Sequence, residues 1–298
     1  MRKIGTRYKK PKEFTKCIFC GASPTNHEHV FSSWSHKLIR KKGKTWTTLT
    51  AVETGKGLGE HQRIKRNGDV HDLQVKCVCE TRCNNGWMRE IENKAIPVLT
   101  SLIKGEETRL SPEQQKIIAT WVAIKVTILE YDRGGKRVSS AIQRRRLMKN
   151  RRPPRRGWKI WIGTLDYTWE HSIATNYLSL LLKPAKKDAP VRFNSQTAAY
   201  ALGKFFVYVV RSPRELVIER WSHAISIDSR LRRIWPPSGF SLSWPPMALH
   251  SSHANHIADS FKNWALAQDA ELRKQRGLPP RESALTNRLG TSGKGPSG

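Results

Sequence analysis

The sequence predicts an α+β protein, with a zinc-stabilised N-terminal module followed by a larger mixed domain. Three observations lead there. Two cysteine pairs, Cys17/Cys20 and Cys79/Cys83, bracket most of the first hundred residues. Stretches of strand composition alternate with stretches of helical spacing. The apolar runs beyond residue 106 contain no cysteine and are long enough to build their own core. The chain of 298 residues accordingly divides into a zinc-bearing module over 1–105, an α+β domain over 106–275 that binds substrate or a partner, and a disordered tail over 276–298, rich in Gly, Pro and Ser.

Taken in order, residues 1–10 form a basic N-terminal arm with no apolar segment behind it, which excludes a signal peptide. Thr45 to Val52, rich in Thr with Trp and Val, predicts a strand. Asn67-Gly68 predicts a hairpin turn between His61–Lys65 and Val70–Val75, because both turn residues tolerate positive φ. From Asn84, the apolar positions Trp87, Met88, Ile91, Ala95, Val98, Leu99 and Leu102 recur at three and four and predict a helix. Pro97 should kink or split it, and Gly105 should stop it. Ser111-Pro-Glu-Gln114 carries an N-cap, a proline at N1 and a glutamine at N3, and opens a second helix that ends at Asp132-Arg-Gly-Gly. Trp158–Gly163 and Tyr200–Val210 read as buried strands, Leu216–Trp221 as a third, and His256 to about Lys274 as the last helix.

Charge narrows the partners. Lys and Arg number 54 against 24 Asp and Glu, a formal net charge of +30. Such an excess attracts polyanions, and nucleic acid rewards clustered cations through counterion release. DNA is the expected partner, with RNA not excluded. No apolar run approaches the ~20 residues of a membrane span, so no membrane partner is expected. The absence of an export signal points to a cytoplasmic, reducing compartment, where paired cysteines hold metal rather than form disulfides.

Cys17, Cys20, Cys79 and Cys83 have gaps of two and three residues, within zinc-ligand spacing, and four thiolates suit tetrahedral Zn2+. Cys77 is an odd fifth thiol, able to replace Cys79 as ligand but read as a buried spare. Between the pairs lies Glu28-His29, and directly after the second lies Asn84. Zinc joining the two halves would bring carboxylate, imidazole and amide into one cleft, a set suited to metal-assisted phosphodiester cleavage. His27 and His36 read as surface histidines near the dyad.

The run Cys17-Ile-Phe-Cys20 … Glu28-His29-Val-Phe, with Cys79-Glu-Thr-Arg-Cys83-Asn84-Asn-Gly-Trp-Met, resembles the HNH endonuclease family, in its prokaryotic and phage branch. The resemblance covers residues 17 to about 104 and extends to the Ser111-Pro-Glu-Gln-Gln helix. It implies a ββα-metal module that cleaves DNA to a 5′ phosphate and a 3′ hydroxyl. His29 would be the general base, and Glu28 and Asn84 the ligands of a catalytic Mg2+ or Mn2+. The family's middle Asn, which positions the histidine, has no counterpart at the usual distance, and Asp72 or Gln74 would serve. Met88 stands where some relatives carry a further His ligand.

The run from Arg144 to Arg156 supplies the expected nucleic-acid contacts: Arg144, Arg145, Arg146, Arg151, Arg152, Arg155 and Arg156, with Trp158 and Trp161 following as base stackers or strand core. The alternative to an endonuclease is a non-catalytic, zinc-containing nucleic-acid-binding protein. A third reading is an interaction protein of phage or mobile-element assembly.

Overall fold

The computed structural model describes residues 14–39, 45–53, 58–68, 72–132, 137–166, 173–178, 193–275 and Gly277. The expected N-terminal arm lies outside them, as does the expected tail apart from Gly277. The protein is a mixed α and β structure.

Three sheets are present among the described residues. The first pairs β1 (Asn26–His29) with β4 (Gln74–Val78), antiparallel, with Glu28 opposite Val75 and His29 opposite Gln74. Between them in sequence come β2 (Thr45–Glu53) and β3 (Leu58–Asn67), which form their own antiparallel pair. β2 then joins β7 (Ile173–Leu178) in parallel. The result is a seven-stranded sheet in the order β10-β6-β9-β8-β7-β2-β3, with β6 (Trp158–Thr164), β8 (Ser195–Leu202), β9 (Phe205–Arg211) and β10 (Arg232–Trp235). This sheet takes strands from both sides of residue 105. A short third sheet joins β5 (Thr108–Leu110) to β11 (Leu242–Trp244).

Helices cover both faces of the large sheet. After β4, a π-helical segment (Glu80–Met88) leads into α1 (Arg89–Lys104). The helix runs through Pro97 without splitting and ends on Gly105 in the left-handed conformation, as its sequence requires. α2 (Pro112–Leu129) opens on the capping box of Ser111 and Gln114. α3 (Ala141–Asn150) opens on a second box, of Ser140 and Gln143. The opposite face carries α4 (Glu215–Ala224) and α5 (Ser251–Gln275). Strand alternation divides the core accordingly. Phe205, Val207 and Val209 of β9 join α1, α2 and the cysteine lobe, whereas Phe206, Tyr208 and Val210 face α4 and α5. Cover on both faces is why these strands read as unbroken apolar runs.

Three expectations are corrected. Asn67-Gly68 does not join two paired strands: β3 pairs back onto β2, and β4 pairs with β1. Tyr200–Val210 is not one strand: it holds the end of β8, the turn at Gly203-Lys204 and most of β9. Gly203 there has φ of +55°, and a Cβ would sit 2.7 Å from the carbonyl oxygen of Ile103, so only glycine fits. Leu216–Trp221 is helical, because Ile218 and Trp221 lie on one face of α4 and both pack into the core.

Candidate metal centre and the histidine beside it

Residues 17–22 make a tight turn in which the Cys17 amide donates to the Ala22 carbonyl and the Gly21 amide to that of Cys17. Gly21 has φ of +81°, a conformation that costs a side-chain-bearing residue and costs glycine little. The second pair sits at the entry to the π-helical segment, where Cys79 is the N-cap and Cys83 lies one turn on. Exposed amides at a helix start favour thiolates. The Sγ atoms of Cys17, Cys20, Cys79 and Cys83 all lie within 4.8 Å of one another, and those of Cys20 and Cys79 are 3.4 Å apart. A tetrahedron with Zn–S bonds of about 2.3 Å has S···S edges of about 3.8 Å, so the four thiols fit zinc. The thiol chemistry agrees. A hydrogen bond from Cys83 pulls the Cys17 thiol well below its usual value despite burial, and Cys83 is pushed up in return. The pair holds a proton that a metal would displace. Cys77 is fully buried outside this group, and burial raises its thiol, so Cys79 rather than Cys77 belongs with the other three.

The backbone ties this cluster to the β1–β4 pair: the Ile18 amide donates to the Cys77 carbonyl. On β1, Glu28 is buried and His29 is half-buried. Successive strand residues point to opposite faces. Glu28 turns inward and meets Lys125 of α2, Oε1 to Nζ at 2.8 Å. Lys125 also donates to the His29 carbonyl at 3.0 Å and lies 3.6 Å from Glu92 of α1. Glu92 in turn accepts from Ser32 Oγ and Trp121 Nε1. Burial lowers the Lys125 ammonium, but Glu28 and Glu92 outweigh it and hold the group above its ordinary range. This lysine and Glu92 were not picked out from sequence. The available signal was a lone cation inside the apolar run Thr120–Leu129, since a buried lysine needs a carboxylate.

His29 lies on the outer side. Its Nε2 is 2.8 Å from Nε2 of Gln74, directly across the strand pair. Of the two candidates for positioning the histidine, Gln74 makes that bond. An amide N–H donating to Nε2 puts the ring proton on Nδ1. With the amide turned over, Oε1 accepts from Nε2–H and leaves Nδ1 free as a base. Burial depresses the imidazole below its ordinary value; Glu28 raises it, and His36 and Lys125 lower it further. The His36 ring stands 6.1 Å from that of His29, and His27 is exposed.

Asn84 sits in the π-helical segment, half-buried, with its backbone N–H donating to the Cys79 carbonyl. Among the described residues no hydrogen bond joins its side chain to Glu28 or His29. Glu28 is held by Lys125, so in this arrangement its carboxylate is engaged rather than free for a hard cation.

The basic run divides. Arg144 donates to the Ile18 carbonyl and to Ser139, and lies over the Tyr131 ring. Arg151 caps α3 and lies 5.0 Å over the Trp87 ring. Both fasten α3 to the cysteine lobe. Arg145, Arg146, Arg152, Arg155 and Arg156 are exposed. Trp158 and Trp161 are both buried in the sheet, Trp161 bonded to Asp228, which removes them as base stackers.

No helix among the described residues is long and apolar enough to cross a membrane. No protein-family model matches the chain, and neither does any curated protein or solved structure.

Proposed function

We propose that the chain is an HNH-type endonuclease that hydrolyses phosphodiester bonds in DNA, with His29 as general base. The observation that carries this reading is a half-buried histidine with a depressed pKa, fixed by Gln74 on a strand pair that leads into a helix and is fastened to a four-thiol cluster. A base working near neutral pH must be neutral there, and the direction of the His29 shift favours that form. Zinc in the thiolate cluster is structural, fixing the turn of residues 17–22 against β4 and the start of the helix. A catalytic Mg2+ or Mn2+ supplies charge neutralisation at the scissile phosphate where such an ion is bound. Here Glu28 would first have to leave Lys125.

A specific observation favours the second reading, a zinc-containing nucleic-acid-binding protein without catalysis: Glu28 is neutralised by a buried lysine. Plasmid nicking separates the two. On the first reading the purified protein nicks supercoiled DNA, with or without dependence on added Mg2+ or Mn2+, and His29→Ala retains zinc and DNA binding while cutting ~10²–10⁴-fold more slowly. Binding with no cleavage of DNA or RNA under any of these ions would establish the second.

A further inference from the structure

A cavity of about 520 Å³ opens between the cysteine turn and the start of α3, within the ~300–1,000 Å³ usual for small-molecule sites. Lys16, Arg137, Arg144 and Arg145 line it, and no acidic residue does so among those described. Tyr131 also lines it, is 3 % exposed, and its buried hydroxyl has no hydrogen-bond partner among the described residues. A buried hydroxyl without a partner costs stability unless a further group satisfies it. Burial pushes the phenol up, against the pull of Arg144 and Arg137, so the group remains a donor at neutral pH. Arg137 stacks on Phe14 and Tyr131, 5.0 Å from each ring, and Arg144 stands 5.4 Å over Tyr131. Stacking restrains a guanidinium while leaving its in-plane N–H groups free for an oxyanion. The N-terminal end of α3, at Ala141, adds the positive end of a helix dipole.

We propose that this cavity is a binding site for a phosphate monoester, either the terminal phosphate of a nucleic-acid strand or that of a free nucleotide. Tyr131 donates its hydroxyl, and Arg137, Arg145 and Lys16 supply charge and hydrogen bonds. Arg144, committed in part to Ile18 and Ser139, holds the wall in place. The aromatic faces are taken by the arginines, so the site reads phosphate rather than base. A zinc tetrathiolate at Cys17 and Cys20 would carry a net charge of about −2, which four cations more than offset. A monoester dianion exceeds a backbone diester in charge, and so gains more here than an internal phosphate does. The proposal does not depend on cleavage by His29.

The test is equilibrium binding, without added divalent ion, of one single-stranded oligonucleotide bearing either a 5′ phosphate or a 5′ hydroxyl. The expected result is about tenfold tighter binding of the phosphorylated strand. Tyr131→Phe should reduce that preference several-fold, and Arg137→Gln with Arg145→Gln should abolish it, with zinc content unchanged in both. Competition by a nucleoside 5′-monophosphate identifies the free nucleotide as the ligand, and its failure to compete identifies the strand end. Equal binding of the two strands by the parent, or a preference that survives all of these substitutions, would overturn the proposal. Loss of zinc from the double arginine variant would mean those cations serve the thiolates, and would overturn it too. Because the readout is binding alone, a protein that never cuts DNA can still pass.

Discussion

Replacing Lys125 by methionine tests the most consequential unexpected contact in the structure. The ammonium joins Glu28, Glu92 and the His29 carbonyl, and its side chain is 4 % exposed against 9 % for Glu28, so water screens the pair little. Lys125→Met keeps the length and apolar stem but strands a buried carboxylate. Breaking a buried pair from one side costs ~3–5 kcal/mol. Glu28→Gln should cost less, about 1–3 kcal/mol, because Lys125 retains Glu92 and the carbonyl. The double variant Lys125→Met/Glu28→Gln should recover part of the single lysine loss. Urea titration measures all three, provided the slope stays that of the parent. The pH dependence gives a second readout. Burial raises the Glu92 carboxyl, but Lys125 and the bond from Ser32 outweigh it and leave it depressed. A carboxyl depressed in the fold contributes stability above its unfolded pKa, about 4.3, and loses that contribution as pH falls. The gap between parent and Lys125→Met is therefore widest near neutrality and narrows below about pH 4.3. A Lys125→Met protein within about 1 kcal/mol of the parent would mean the pair is solvated, and Glu28 would then be free to take a metal.

Three further outcomes follow from the cysteine lobe and the basic run. Metal analysis should find about one zinc per chain; Cys17→Ser, Cys20→Ser, Cys79→Ser and Cys83→Ser should each lose it, whereas Cys77→Ser should keep it. Changing Arg145, Arg146, Arg152, Arg155 and Arg156 to Gln should flatten the salt dependence of DNA binding by roughly 0.9 in log–log slope for each residue that contacts a phosphate. Arg144→Gln and Arg151→Gln should act instead on thermal stability, because those side chains fasten α3 to the cysteine lobe; an unchanged melting temperature in both would contradict that.

Local signals in the sequence carried well. The Cys spacing, the Ser111–Gln114 capping box, the Gly105 stop and the β6 strand are each written within a few neighbouring residues, and each stands in the structure. The last helix also stands, begun five residues before His256, at Ser251. What was not legible is non-local or ambiguous in period. Leu216-Val-Ile is an apolar triplet that fits a strand or a helix, and only the packing of Ile218 and Trp221 against α5 decides. The β1–β4 pairing spans a long insertion, so the Asn67-Gly68 turn signal pointed to the nearest strand instead of the true partner. The Glu28–Lys125 contact joins residues 97 apart in sequence, and no spacing rule reaches that far. At the candidate site, each cysteine pair was legible from its local spacing, whereas the placement of His29 beside Gln74, 45 residues on, depends on the β1–β4 pairing. The inward turn of Glu28 follows from strand alternation, but what it meets there belongs to the tertiary fold.

The central claim is that His29 acts as a neutral base. Its most direct test is the pH dependence of the plasmid-nicking rate, measured at saturating protein for the parent and for His29→Ala. Burial depresses the imidazole, so the neutral form should persist to lower pH than for a free histidine. The parent rate should therefore fall on the acid side only below about pH 6.5, and His29→Ala should be slow across the range with that acid limb gone. A His29→Ala protein that nicks at the parent rate with the same acid limb would contradict the account.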